Sequence, residues 1–293
     1  MQSPSDMPVP CAACESPRAR PFGARRGWRY LECLDCGSLQ LDPMPDAETL
    51  ARAYRDEYSR AGHYAGTPEA RNAAARRVFQ GIGDAYAAHA PAGAAGPVLD
   101  YGCGWGGLLD ELRARGIPCE GADLSRDMAA HTRAQGHPVH EAALEALEGE
   151  GRYTGIVMAA VFEHLTDHAA TLEAARRLLV PGGLLVTFMP TARFARFFGK
   201  LFRLGLLRLP LPEIHGTLAP PWHTLLISAS GLRALAGRHG FDIVDLRPGP
   251  VQSGNPANEA LHHLNRLGWP LLGERWPLCP CHIFVLRKRR AAG

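Results

Sequence analysis

Four paired cysteines, a glycine-rich turn flanked by two carboxylates, and one Glu-His pair are the residues whose types and spacing could do chemistry. Cys11-Ala12-Ala13-Cys14 and Cys33-Leu34-Asp35-Cys36 form two CxxC pairs with eighteen residues between them. In a reducing compartment this spacing favours a structural zinc site over disulfides. Four thiolates fill zinc's tetrahedral sphere and leave no position for catalytic water. Asp100 leads into Gly102-x-Gly104-x-x-Gly107, and Asp123 follows twenty-three residues after Asp100. Glycines let the backbone approach a ligand closely, and a helix starting at the turn offers N–H groups. A carboxylate at Asp123 can accept both hydroxyls of a ribose. The glycine spacing also satisfies the dinucleotide fingerprint, so taken alone it leaves NAD and other nucleotides open. Asp100 speaks against a pyrophosphate, because it would add negative charge beside the phosphates. A ligand with an amine, a sulfonium and no phosphate would suit it.

The elements that must position these residues follow from patterning. The chain has 293 residues, 46% hydrophobic and 21% charged, which suits a soluble globular protein with one large core and a small appendage. A net charge of +3 is too balanced for a nucleic-acid footprint by itself. The start lacks a basic stretch followed by an apolar one, and no apolar run approaches a membrane span, so the cytoplasm is expected. Residues 8–40 read as a zinc ribbon, with a short strand over Gly27–Glu32. Five nearby arginines make a solvated basic face or a nucleic-acid contact. Asp46 caps a helix from Ala47, Tyr54, Tyr58 and Tyr64 either cover the nucleotide pocket or pack two domains together, and a second helix covers Pro68–His89. From Pro97 the pattern alternates strand and helix, predicting an α/β, doubly wound parallel sheet. Its strands are Val98–Tyr101, Pro118–Ala122, Pro138–His140, Gly155–Ala160 and Leu184–Phe188, with Phe241–Leu246 and His282–Leu286 downstream. Cys103, Cys119, Cys279 and Cys281 read as small apolar fillers.

The sequence resembles the class I S-adenosylmethionine-dependent methyltransferases. The carrying residues are Leu99-Asp100-Tyr101-Gly102-Cys103-Gly104-Trp105-Gly106, Asp123, Val161-Phe162-Glu163-His164-Leu165 and Leu178 to Leu184 around Pro181-Gly182-Gly183. The ribbon with Leu41-Asp42-Pro43-Met44-Pro45, and the Pro221-Trp222-His223 region, resemble a bacterial subgroup acting on small molecules, sugars or cell-surface precursors. The resemblance implies a Rossmann-like, seven-stranded methyltransferase sheet. Residues 1–45 would be the zinc ribbon and 46–92 a helical linker or cap. Residues 93–293 would be the methyltransferase domain, with a lid insertion over about 191–225. It implies S-adenosylmethionine as cofactor beside structural Zn2+ on Cys11, Cys14, Cys33 and Cys36. Asp100, Tyr101, Gly102 and Gly104 would hold the methionine moiety and Asp123 the ribose. Leu124 would lie against the adenine, and Ala142, Ala143 and Leu144 would meet the adenine amine. Tyr153-Thr154 departs from the family's aromatic-Asp pair.

Methyl transfer from a sulfonium needs positioning, and a general base only where the acceptor must lose a proton. Glu163 and His164 are the first candidates for that base, with His168 and His223 behind them. The alternative is that the pair caps the following helix and His223 orients a loop. Ubiquinone-pathway O-methyltransferases carry a comparable Glu-His pair with an acid three residues earlier that helps hold a divalent metal, and here that position is Ala160. Phe194, Phe197, Phe198, Leu201 and Phe202 make an apolar helical stripe, with Arg193, Arg196, Lys200 and Arg203 as its basic companions. This segment reads as a lid or packed helix, and about 193–203 as a possible contact to an anionic membrane surface. The expected partner is a small-molecule methyl acceptor, with no nucleic acid; oligomeric state is not legible. The rival readings are a nucleic-acid methyltransferase using the ribbon as reader, a non-catalytic ribbon scaffold for a partner protein, and a dehydrogenase. Against the first, strand four leads into Val161-Phe162-Glu163-His164 and not into the Asn/Asp-Pro-Pro-aromatic run of exocyclic-amine enzymes.

Overall fold

The computed structural model describes residues 10–53, 66–206, 217–252 and 256–290. Tyr54, Tyr58 and Tyr64 lie outside the described residues. The chain opens with β1 (Ala19–Arg25), β2 (Trp28–Cys33), β3 (Leu39–Asp42) and α1 (Ala47–Ala53). It continues through α2 (Pro68–His89), β4 (Val98–Tyr101), α3 (Gly107–Ala114), β5 (Cys119–Ala122), α4 (Arg126–Ala134) and β6 (Val139–His140). Next come β7 (Tyr153–Ala159), α5 (His168–Leu178), β8 (Leu179–Pro190), α6 (Ala192–Arg203) and β9 (Leu225–Leu226). The last elements are α7 (Ala229–Arg238), β10 (Phe241–Pro248), α8 (Pro256–Leu272) and β11 (Cys281–Lys288). Two compact units share them. The first gathers the described residues of Met1–Ala65, Glu163–Thr166 and Pro190–Leu235; the second gathers those of Gly66–Phe162, Asp167–Met189 and Ala236–Gly293.

The second unit is built on a seven-stranded sheet of order β10-β11-β8-β7-β4-β5-β6. β4 pairs in parallel with β5 on one side and β7 on the other, β5 with β6, and β7 with β8. β10 runs antiparallel to β11. All four residues of β4 and the first six of β7 are buried, as befits parallel strands covered on both faces. The covering comes from α2 with Val78, Ile82 and Tyr86, and from α3 with Leu108 and Leu112, against Val157, Val186, Ile283 and Val285. α2 is therefore part of this core. Thr154 explains its own departure from the family pair. Its hydroxyl bonds the Tyr86 hydroxyl at 2.8 Å and the Gly96 carbonyl at 3.1 Å, so the polar atoms under α2 are satisfied without a charge. Pro181-Gly182-Gly183, ahead of the predicted Leu184–Phe188 strand, lies inside β8, which begins at Leu179 opposite Tyr153, reaches Leu184 opposite Gly155 and so absorbs three extra residues as a register shift.

The first unit is organised by a four-stranded antiparallel sheet of order β1-β2-β3-β9. β3 is buried at all four positions and so needs a partner on each edge. Its second partner, β9, arrives from far downstream, with Leu39 opposite Leu226 and Gln40 opposite Leu225. Ala192 and Ala195 of α6 pack with Phe22, Tyr30, Leu39 and Leu41, so the first turn of α6 supports the sheet through its alanines. Along α6 the exposure climbs from 1% at Phe194 to 43% at Phe202. Arg196, assigned to the basic face, is held by Glu32 at 2.5 Å. No described helix is long and apolar enough to cross a membrane.

Between β4 and α3 the backbone turns through Gly102 at φ +78°, where an added Cβ would meet the Val161 side chain at 2.5 Å. Gly116 has a similar φ of +71° but nothing within 4 Å of an added Cβ. Gly116→Ala is therefore expected to lower the unfolding free energy by about 1–2 kcal/mol, the left-handed backbone cost alone. Gly102→Ala should add an overpacking cost of about 1–3 kcal/mol to that. Chemical denaturation of the two variants measures the difference.

Candidate functional site

β4 is the strand from which the sheet is built in both directions: β5 and β6 extend to one side, β7 and β8 to the other. In open parallel sheets, ligands sit in the crevice outside the carboxyl ends of strands at such a reversal. The residues at that end are Asp100, Tyr101 and the glycine turn from β4, and Ala160 and Val161 after β7. Ala160 takes a left-handed φ of +57°, an unfavourable conformation for a residue with a Cβ, and its N–H is fixed to the Phe188 carbonyl at 2.7 Å. Val161 is the side chain that closes on Gly102.

Asp100 is 2% exposed, and its Oδ1 has no hydrogen-bond partner among the described residues. Burial, and then the charge of Asp123, push its carboxyl up to about 8. Asp123 closes the turn from the end of β5: Oδ2 accepts the Gly104 N–H and Oδ1 the Ser125 N–H, each at 2.8 Å. Burial raises its carboxyl and these two N–H groups oppose the rise. Each oxygen keeps acceptor capacity for a further donor. The Leu144 backbone hydrogen-bonds the Tyr101 side chain, which ties the end of β4 to the half-buried Ala142 and Ala143. Leu124, next to Asp123, is 69% exposed, an apolar surface beside the turn.

Two residues that carry no motif hold this turn. Asn72 of α2 donates to the Trp105 carbonyl at 3.1 Å, and the Thr132 hydroxyl of α4 donates to the Gly104 carbonyl at 2.9 Å. Nothing in the sequence distinguishes either from an ordinary polar position on a helix.

In the first unit the four cysteine Sγ atoms all lie within 4.8 Å of one another. Cys11 and Cys36 are 3.6 Å apart, Cys14 and Cys33 3.5 Å. A tetrahedron of about 2.3 Å zinc–sulfur bonds has edges of about 3.8 Å, so the donor set fits that ion. The hydrogen bond from Cys11, helped by the Ser38 hydroxyl at 3.2 Å, lowers Cys36 to about 4, while burial raises Cys14 to about 11. A cation that displaces the remaining thiol protons would relieve this conflict.

Glu163, His164 and His223 form the other cluster of the first unit, with one side-chain donor atom of each within 4.8 Å of the others. Glu163 is 1% exposed, its Oε2 lacks a partner among the described residues, and burial pushes its carboxyl up to about 8. His164 Nε2 is 3.9 Å from Glu163 Oε1, and the His164 and His223 rings meet edge to face with centroids 4.9 Å apart. His223 Nδ1 lies 2.8 Å from the Thr217 carbonyl; donating its proton there leaves the lone pair on Nε2. Such a cluster can accept a proton from an acidified O–H or C–H. The three donors could also ligate a divalent cation, although the earlier acid of the ubiquinone-pathway pattern is the methyl of Ala160. His168 belongs to the second unit. It is buried at the start of α5 with Nε2 on the Phe162 carbonyl at 3.0 Å, and burial lowers it to about 4. That is the environment of a neutral core histidine.

Comparison with known proteins agrees with the sheet. A family model described as "Methyltransferase domain" matches residues 47–246. The chain is 32% identical over 124 residues to the ubiquinone biosynthesis O-methyltransferase of Paracidovorax citrulli, covering 38% of this chain and 52% of that protein. It is 37% identical over 98 residues to the protein of the same name from Caulobacter sp., covering 30% and 38%. The chain thus spans about half the length, or less, of these curated relatives. The solved structure of Burkholderia thailandensis 1,6-didemethyltoxoflavin-N1-methyltransferase, with bound 1,6-didemethyltoxoflavin and S-adenosylhomocysteine, superposes with a TM-score of 0.53 at 16% identity. The match covers 92% of this chain and all of that one, and shows a shared fold.

If the partnerless oxygen of Asp100 receives a cationic amine, binding must favour the ionised carboxyl. With the unliganded group at about 8, affinity for S-adenosylhomocysteine should fall as pH drops below 8, by up to about tenfold per pH unit, and level off above it. Asp100→Asn should bind more weakly and lose that pH dependence. Calorimetric titration of both proteins between pH 6 and 9 makes the measurement.

Proposed function

Given that this chain belongs to the methyltransferase-domain family, we propose that it is an S-adenosylmethionine-dependent methyltransferase and that it methylates a small-molecule acceptor at an oxygen or carbon that must lose a proton. The observation that carries this reading is the Glu163–His164–His223 cluster, a buried acid beside two imidazoles that together can take up a proton. The names of the curated relatives support the small-molecule class.

When bound, S-adenosylmethionine supplies a methyl group on a sulfonium that carries its own leaving group. Asp100 would accept from the amine of its methionine moiety, beside Tyr101, Gly102 and Gly104. Asp123 would accept from the ribose hydroxyls, Leu124 would lie under the adenine, and Ala142 and Ala143 would border it. On the acceptor side, the imidazoles of His223 and His164 would take the departing proton. The resulting positive charge favours ionisation of Glu163, whose own proton would pass to the second imidazole, so the buried carboxylate would balance the charge within the cluster. Cys11, Cys14, Cys33 and Cys36 would hold a structural Zn2+ that fills its sphere with sulfur and takes no part in transfer.

Methyl-labelled cofactor incubated with the protein and a fractionated cell extract should place label in metabolites or lipids; label in RNA or protein instead would sink the proposal. With the acceptor so identified, His223→Ala should cut turnover on the order of 10²-fold or more while S-adenosylhomocysteine affinity stays unchanged. Elemental analysis of the purified chain should find one zinc per molecule, lost in Cys33→Ser; absence of zinc from the unaltered chain refutes the ribbon.

A further inference from the structure

His223 and the Glu163–His164 pair come from distant stretches of the chain, and two buried side chains of the first unit hold them together. Thr224, fully buried, follows His223 directly. Its N–H donates to the Glu163 carbonyl at 2.8 Å, and its hydroxyl lies 3.0 Å from the same oxygen and also bonds the Leu165 carbonyl. The backbone of Glu163, His164 and Leu165 is thereby bracketed by one residue. On its other side, the Thr224 carbonyl accepts the Leu41 N–H at 2.9 Å, which continues the β3–β9 ladder by one more rung. One residue earlier, the His223 carbonyl accepts the Tyr30 hydroxyl of β2 at 2.9 Å. Tyr30 is 1% exposed, and burial keeps its phenol protonated and a donor.

These bonds run in series from β2 and β3, through residues 223–226, to Glu163–Leu165. The cysteine knuckles close the same sheet, because Ser228 and Ser230 both donate to the Cys36 carbonyl, at 2.6 and 2.8 Å. A hydrogen-bonded ladder in a buried setting has little freedom to drift, and an unpaired carbonyl there would cost about 1–3 kcal/mol.

We infer that Thr224 and Tyr30 are positioning residues, through which the cysteine-bearing sheet sets the His223 imidazole against Glu163 and His164. The inference rests on reading those three residues as the acceptor-side cluster. It gives the ribbon a second task beyond carrying a metal, since the sheet it anchors is the frame of that cluster. Neither residue would touch the acceptor or the cofactor. Thr224→Val keeps the shape but removes the hydroxyl and leaves the Leu165 carbonyl without this donor; Tyr30→Phe removes one oxygen and keeps the ring in its core.

The test is carried out on the full, zinc-loaded chain with isotopically labelled histidine. Ring resonances are assigned through His164→Gln and His223→Gln, and the readout is the ring-to-ring nuclear Overhauser effect between the two imidazoles. The unaltered protein should give this cross-peak. Thr224→Val and Tyr30→Phe should lose it, Thr224→Ser should restore it, and all should keep S-adenosylhomocysteine affinity. A cross-peak of unaltered intensity in both Thr224→Val and Tyr30→Phe overturns the inference, as does a serine variant no better than valine. If Thr224→Val fails to fold, the single-atom change in Tyr30→Phe decides. Absence of the cross-peak from the unaltered protein contradicts the cluster itself, and with it the reading of acceptor chemistry on which the inference stands.

Discussion

Burying a carboxylate is costly unless something pairs with it, and Asp100, one residue before the end of β4, has one oxygen that no described residue serves. The strand leaves it no escape. β4 has β5 on one edge and β7 on the other, and all four of its residues are buried, so the side chain cannot turn to water. Removing it would stabilise an isolated domain; keeping it makes sense for a ligand that brings a positive charge and no phosphate. The glycine turn follows from the same place. Gly102 passes against Val161, and Asp123 reaches back to Gly104, so the turn is held tightly beside Asp100. On the proposed reading, cofactor recognition is a property of one strand end, its neighbour's carboxylate and the close packing between them.

The cluster proposed for the acceptor is organised on a different principle. Glu163 is again a buried carboxyl pushed upward by desolvation, but its neighbours are imidazoles, so it is placed to exchange protons within the cluster. Its backbone belongs to a unit whose sheet carries the cysteines. The pairing of β3 with a two-residue strand from beyond α6 makes the ribbon and the His223 segment one structure. An N-terminal module that looked like an appendage contributes three of the four strands of that sheet.

The parallel core was legible because its strands are short apolar runs that end in functional residues. Val98–Tyr101 is found as read, and α2 keeps its bounds of Pro68–His89, set by Thr67 as a cap and by Ala90-Pro91 at its end. β8 extends beyond the predicted Leu184–Phe188, since Pro-Gly-Gly usually breaks a strand but here a register shift accommodates the run. β9 was illegible. Two leucines have no periodicity, and only the buried edge of β3 demands them. α8 was also missed, since Pro270 and Gly268 argue against a helix. Of the site, Asp100, Asp123 and the cysteines carry signals in residue type and spacing, and Glu163–His164 carry one through resemblance. Thr224, Tyr30, Asn72 and Thr132 carry none, because each acts through backbone carbonyls that a sequence does not show meeting.

The central claim is that the turn beginning at Asp100 accepts a sulfonium-type cofactor and refuses a dinucleotide. Calorimetric titration of the unaltered protein at pH 8 with S-adenosylhomocysteine, and in parallel with NAD and NADH, tests it most directly. Saturable one-to-one binding of S-adenosylhomocysteine with no heat from either dinucleotide is the expected result. Binding of a dinucleotide with no response to S-adenosylhomocysteine would contradict the account at its foundation.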